Sequence, residues 1–206
     1  MKKYILLLSL LLCLLPVAFG QGVNEEAQNA LPPLVGFVEG EFVWNDLRFP
    51  STQVRQGAST KPDFDATDLG LLFPSGDPAE IAYIIAQMPH NMRASSDLCP
   101  HLHYFQDEAA EPVFRIDYRW YKNGTAPPGS FTTLTFTNFV FTYSSGTLLQ
   151  IISAPCIDGS AIDTVSSVLD VKLYRNDSLI AGDVLVKEFG FHYQTDSMGS
   201  RQEFIK

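Results

Sequence analysis

The sequence contains only three cysteines, and their positions limit the chemistry available to the chain. Cys13 lies in an apolar N-terminal run, which leaves Cys99 and Cys156 beyond it. Two cysteines this far apart match neither a zinc ribbon nor a redox C-x-x-C pair. They are either one disulfide that closes a long loop in an exported protein, or two buried thiols in a protein that assembles in the cytoplasm.

Basic residues are also scarce: 14 Lys and Arg stand against 23 Asp and Glu, for a formal net charge of −9. No cluster of Lys or Arg offsets this acidic balance. A chain of this charge repels phosphate backbones, and we therefore expect no nucleic-acid partner.

Familiar catalytic motifs are missing. The sequence has no G-x-S-x-G nucleophile elbow, no H-E-x-x-H zinc helix and no Gly-rich phosphate loop. It also has no convincing long run of apolar residues at helical spacing. These absences favour a protein that is not an enzyme and whose core is not helical.

The first residues have the pattern of a secretory signal peptide. Two lysines precede an apolar run, and Ala18 and Gly20 supply small residues at the −3 and −1 positions of a cleavage site. We predict that residues 1–20 are a signal peptide and that no stable membrane association follows cleavage. An uncleaved anchor is the alternative, although the apolar run is short for a bilayer span. Residues 21–35 are polar and contain Pro-Pro, which predicts an extended linker.

From residue 36 onward, strand signals dominate. About nine runs rich in β-branched and aromatic residues alternate with turn clusters of Gly, Pro, Asn, Asp and Ser. Short strands at this spacing are typical of an antiparallel sandwich. We therefore predict an all-β fold in which residues 36–206 form a single antiparallel β-sandwich of jelly-roll type.

The last of these runs predicts an outer strand with one packed face and one wet face. Strict alternation puts Leu185 and Phe189 on the packed face, together with Lys187. The same alternation puts Val186 and His192 on the wet face.

The stretch "PHLHYF" places His101 and His103 one residue apart in a chain with four histidines. On a strand the two side chains point the same way, roughly 7 Å apart, and are close enough to bind one metal ion. We predict that both face outward while Leu102 and Tyr104 face the core. The competing interpretation is that the two histidines lie on a wet strand face and bind nothing, because a lone H-x-H lacks the further ligands of a closed site.

A secreted cupin-like metalloenzyme is an alternative function. His101, His103 and Glu108 have the H-x-H-x4-E spacing of cupins, and His192 on a late strand would complete a site of three histidines and one carboxylate. Two departures weaken this alternative: Ser95 and Arg115 stand where the glycines of cupin motifs belong. A secreted bacterial adhesion module is a further alternative.

Four segments resemble a family of structural proteins from tailed bacteriophages: "VWNDLRFP" (43–50), "IAQMPHNMRASSDLCPHLHYF" (84–105), "FRIDYRWY" (114–121) and "EFGFHYQTDSMGSRQEFIK" (188–206). The last ends in the same kind of G-S-R-Q-E-aromatic tail. The resemblance covers about residues 40–206. It implies a β-rich, non-enzymatic virion component, such as a capsid decoration or fibre-type protein, with other virion proteins as partners.

The resemblance leaves the location open between the virion and the exterior of the cell, because a signal peptide is not expected on a protein that assembles in the cytoplasm. The resemblance also includes the C-terminal tail. We expect residues 196–206 to pack on the domain or on a neighbouring subunit, with Arg201 paired to a carboxylate; a frayed terminus is the alternative.

Phage fibres and spikes are typically trimers, and some related architectures carry an H-x-H at the threefold axis. By analogy we predict a homotrimer in which His101 and His103 from each chain supply six imidazoles to one transition-metal ion. On this hypothesis no cofactor is bound within a single subunit, and His90 and His192 are bystanders.

Overall fold

A computed structural model describes residues 42–57, 59–75, 80–107, 111–139, 148–160, 162, 166–177 and 182–196. The predictions for the signal peptide, for the linker and for the tail beyond Asp196 lie outside these residues. From Phe42 onward the chain forms one compact unit.

The described residues form β-strands and one short 3-10 turn, Ser51–Gln53, and contain no α-helix. Each strand pairs antiparallel with its neighbours. In chain order the strands are β1 (Val43–Pro50), β2 (Arg55–Gln56), β3 (Asp63–Asp65), β4 (Gly70–Phe73), β5 (Ile81–Gln87), β6 (Cys99–Phe105), β7 (Phe114–Tyr121), β8 (Thr132–Thr135), β9 (Asn138–Phe139), β10 (Gln150–Ser153), β11 (Val168–Arg175) and β12 (Val184–Thr195).

The strands form two sheets that pack against each other, which confirms the predicted antiparallel β-sandwich. The larger sheet has the order β3-β4-β12-β6-β10-β9, with β1 also paired to β12, and the smaller has the order β2-β5-β11-β7-β8. Aromatic side chains join the sheets across the core: the Phe114 ring of the smaller sheet lies 5.6 Å from that of Phe73 and 6.3 Å from that of Tyr104. Contacts of this kind add to the stabilisation by apolar burial.

The strand β12 differs from its prediction in two ways. It lies inside the larger sheet, with β6 along one side and β4 and β1 along the other, and is not an outer strand. Its pairing with β6 also shifts register between Val186 and Glu188. This bulge at Lys187 reverses the alternation, so that Val186 and Phe189 both face the core, and the predicted wet position of Val186 is wrong.

The two cysteines beyond the apolar run are bonded to each other. Cys99, at the start of β6, forms a disulfide with Cys156, and the bond closes a separation of 57 residues. The choice that the sequence left open is therefore resolved in favour of the disulfide.

Among the residues that the structure describes, none forms a helix with the length and apolar character that a membrane span requires.

Candidate functional site

The candidate site lies on the face of the larger sheet that points away from the sandwich core. It is built on three neighbouring strands, where Asp46 of β1 lies opposite His192 of β12, and Gly190 of β12 lies opposite His101 of β6. Because side chains alternate along a strand, the residues beside them, such as Leu102, point into the core. Asp46, His101 and His192 thus converge on one patch, which we call the Asp-His-His cluster.

His101 is the centre of this cluster and is 2% exposed, although it lies on the outer face of the sheet. The His192 ring stacks on the His101 ring with a centroid separation of 4.2 Å and an interplanar angle of 16°. The His103 ring meets the His101 ring edge-on at 5.3 Å. His101 is therefore covered by other polar side chains rather than by an apolar layer.

Gly190 gives the His101 ring room to lie against the sheet. A Cβ atom at position 190 would stand 2.7 Å from Cε1 and 2.8 Å from Nε2 of His101, and 3.0 Å from Oδ1 of Asp46. Contacts this short do not occur between ordinary side chains, so any larger residue would displace the imidazole. The close approach of His101 and Asp46 depends on the missing side chain.

Several buried polar atoms of the cluster have no hydrogen-bond partner. They are Oδ1 of Asp46 and both ring nitrogens of His101. Nε2 of His101 lies 3.7 Å from Oδ1 of Asp46, which exceeds hydrogen-bonding distance. Buried polar groups are nearly always paired, because an unpaired one carries an uncompensated desolvation cost. The cluster is therefore a place where a further ligand atom or ion would be stabilising.

Burial lowers the pKa of His101 to about 4, and the nearby His192 and His103 rings add to the decrease. The imidazole is therefore neutral at physiological pH, which is the form that binds metals. Burial also raises the pKa of Asp46, although His192 and Arg48 oppose this effect.

Glu188 lies on the same face, opposite His103, but is already engaged. Arg48 donates from Nε to Oε1 of Glu188 at 2.7 Å and from Nη2 to Oε2 at 2.6 Å. The hydrogen bonds from Arg48 hold the pKa of Glu188 below its usual range. This two-pronged ion pair forms one border of the cluster.

The structure has the predicted orientation of the "PHLHYF" strand. Leu102 and Tyr104 are buried in the core, and His101 and His103 share the opposite face. Although it faces outward, His101 is buried, because the neighbouring β1 and β12 side chains cover it. His192, which we expected to take no part in metal binding, has its ring stacked on that of His101.

Other predicted site residues lie elsewhere. His90 is bonded to Ser166 through a 2.7 Å contact between Nε2 and Oγ. Glu108 lies outside the described residues. The three histidines of the proposed cupin set face away from the space between the sheets, whereas a cupin site requires them inside the barrel.

Sequence reasoning missed Asp46. The only available signal is the alternation of β1, which puts Asp46 and Arg48 on one face and Leu47 and Phe49 on the other. The pairing of β1 with β12, which brings Asp46 to His192, joins strands at opposite ends of the domain and has no local signature.

A scan against protein-family models and a search of curated proteins both find no match for this chain.

Proposed function

We propose that the protein is a non-enzymatic structural component of a tailed-phage virion, of the capsid decoration or fibre type. The observation that carries this proposal is the position of the four segments that resemble phage structural proteins. The segment 43–50 is β1, 84–105 ends in β6, 114–121 is β7, and 188–206 begins in β12. Three of these strands are neighbours in the larger sheet and build the Asp-His-His cluster.

The fold is compatible with this role. Double-sheet jelly rolls recur in viral capsid proteins, although a sandwich architecture alone does not determine function. The jelly-roll connectivity remains part of the proposal.

The placement of the histidines also favours assembly over catalysis. Enzyme sites are usually concave pockets, whereas the His101 ring is 2% exposed and is covered by the His192 and His103 rings. The chemistry of the cluster is instead arranged on a sheet face, between strands.

An assembly protein needs surfaces for partners, and the smaller sheet offers an apolar one. Ile85 and Tyr83 lie two residues apart on the outward face of β5, and Ile85 is 73% exposed. Exposed apolar side chains that lie together often mark interaction sites. We propose that this face contacts another subunit, in a homotrimer, or another virion protein.

The disulfide between Cys99 and Cys156 gives an indication of where the protein acts. Disulfides persist in oxidising surroundings and are rare in the cytosol. We therefore propose that the protein acts outside the reducing cytoplasm, in the released virion or as an exported protein.

Mass spectrometry of density-purified particles tests the proposal. We expect peptides of this chain in the particles at a constant ratio to the major capsid protein, and their loss from particles of a phage that lacks the gene. Peptides confined to the particle-free supernatant would contradict a virion role and favour a secreted adhesion module. The identity of the neighbouring genes, portal and tail genes or metabolic ones, provides an independent check.

A secreted metalloenzyme is the second candidate, and the Asp-His-His cluster is the observation that favours it. Two histidines and one carboxylate form the ligand set of several metalloenzymes that keep open coordination positions. This set replaces the cupin set, since it uses Asp46 in place of Glu108. We rank it second because His101 is 2% exposed and is covered by the His192 and His103 rings on its own sheet face.

A further inference from the structure

We propose that Asp46, His101 and His192 of a single chain bind one divalent transition-metal ion, which fastens β1, β12 and β6 together. This site goes beyond the structural role proposed above. It differs from an H-x-H site on a trimer axis, because it uses one chain and includes Asp46 and His192 in place of His103.

The three side chains lie close enough together to share one ion. The potential ligand atoms of Asp46, His101 and His192 all lie within 4.8 Å of one another. Metal bonds near 2.1 Å place two ligand atoms of a tetrahedral ion about 3.4 Å apart. The 3.7 Å between Nε2 of His101 and Oδ1 of Asp46 is already close to that value.

Polar atoms of two of the three residues are also unsatisfied. Oδ1 of Asp46 and both ring nitrogens of His101 are buried without a hydrogen-bond partner, and the His101 side chain is 3% exposed. A metal ion bound between Nε2 and Oδ1 would satisfy one atom of each residue. A direct hydrogen bond between them does not form at this distance.

The ligand types indicate the class of ion. Imidazole nitrogen suits zinc, copper, nickel and iron, whereas magnesium and calcium prefer sites made of oxygen atoms alone. Two imidazoles and one carboxylate therefore favour a first-row transition metal such as Zn²⁺ or Ni²⁺. The remaining coordination positions are left for water.

Binding requires one side chain to turn. The His101 and His192 rings are nearly parallel, and lone pairs that lie in two stacked ring planes do not point at one ion. His101 is held against Gly190, whereas His192 is exposed. We infer that the His192 ring rotates out of the stack to complete the site while His101 keeps its position.

The requirement for His103 distinguishes the single-chain metal site from the trimer-axis site. Its ring is next to His101 but does not belong to the group of mutually close ligand atoms. The single-chain site predicts that His103 is dispensable and that one ion binds per chain. A trimer-axis site predicts that His103 is required and that one ion binds per three chains.

Calorimetric titration of the tag-free, chelator-treated protein with Zn²⁺ and with Ni²⁺ tests the proposal, with light scattering to give the subunit number. We expect one ion per chain, and at least a tenfold loss of affinity in both Asp46→Asn and His192→Ala. His103→Ala and the distant control His90→Ala should bind like the wild type. Asp46 and His192 lie at the surface or half-buried, so these variants should fold, and circular dichroism verifies it.

Two results would overturn the single-chain site. One is the absence of binding by the wild-type protein at ion concentrations of 100 μM. The other is loss of binding in His103→Ala with unchanged binding in Asp46→Asn and His192→Ala. A shift of the His192 ring resonances on addition of Zn²⁺, with retention of the contacts between His101 and Gly190, would support the rotation in the folded protein.

Discussion

The single residue Gly190 determines whether the His101 ring can lie against the sheet. In Gly190→Ala, the new Cβ would overlap the far end of the His101 side chain. The ring can move aside toward solvent, so we expect the fold to persist with a loss of about 1 kcal/mol from reduced burial. Proton NMR should show that the ring contact between His101 and His192 is lost, while urea denaturation gives the change in stability. An intact ring stack in this variant would contradict the role assigned to Gly190.

Arg175 is another residue whose position the sequence does not reveal. It is 1% exposed at the end of β11, and it donates two 2.9 Å hydrogen bonds to the carboxylate of Asp177. It also donates to the carbonyls of Phe73 and Gly182 at 3.0 and 2.7 Å, which ties β4 and the start of the β12 region to β11.

We expect Arg175→Ala to lower the free energy of unfolding by about 3–5 kcal/mol, because it removes the positive partner of the buried Asp177 carboxylate and the donor to two carbonyls. Chemical denaturation measures the loss. Arg48 provides a comparison: Arg48→Ala should cost less, because the Arg48 side chain is 64% exposed and water can replace it beside Glu188, whose side chain is 11% exposed. Equal losses in the two variants would show that burial of Arg175 has little importance.

At the level of the strand, the bulge in β12 should allow the deletion of Lys187. A one-residue deletion in a regular strand would normally be damaging. Removal of Lys187 takes out the extra residue, and Val186 and Glu188 then become consecutive opposite Tyr104 and His103. Both halves of β12 keep their core-facing side chains, so we expect a stable, folded variant that has lost only the local bend.

Deletion of Lys172 from the regular strand β11 is the matched comparison. Its burial alternates without interruption, so the deletion moves Leu173 and Arg175 to the outer face. We expect this variant to unfold or to melt far below the Lys187 deletion in thermal denaturation. Similar melting temperatures for the two deletions would show that the register shift does not protect β12.

The disulfide links the start of β6 to the segment after β10. Closing a loop of 57 residues corresponds to about 4 kcal/mol in the chain-entropy estimate, which is an upper bound for most proteins. We expect Cys99→Ser/Cys156→Ser to lose up to this amount in urea denaturation under non-reducing conditions. Reducing agent should lower the stability of the wild type and leave the double variant unchanged, and an effect on both would point to a different cause.

For the whole molecule, local patterns in the sequence predict the class of fold but not the partners of each strand. The β-branched and aromatic side chains of residues 81–87 correctly predict a strand, because such side chains favour extended backbone. Strict alternation predicts the wrong buried face for the start of β12, because the extra residue at Lys187 reverses which side chains point inward. The amino-acid composition of the segment does not indicate this bulge. Pairing over long separations is decided by the complete core, which no single segment contains.

The sequence likewise predicts only part of the candidate site. The "PHLHYF" segment identifies His101 and the direction in which it points, because alternation along one strand is a local property. Asp46 and His192 join it only through the pairing of β1 with β12 and of β12 with β6. The burial of His101 also depends on these pairings, so its unusual environment has no counterpart in the sequence around it.

Because β12 lies inside the larger sheet and is the last of the described strands, that sheet cannot be completed until synthesis is nearly finished. Arg48 and Glu188 are paired across 140 residues, and a ribosome that adds about 5–20 residues per second needs on the order of 10 s to make that stretch. Until β12 emerges, the nascent β1, β4 and β6 lack the strand that all three border. Unpaired edges of this kind promote aggregation. Messages cut short before β12 should therefore yield insoluble polypeptide rather than a smaller folded domain.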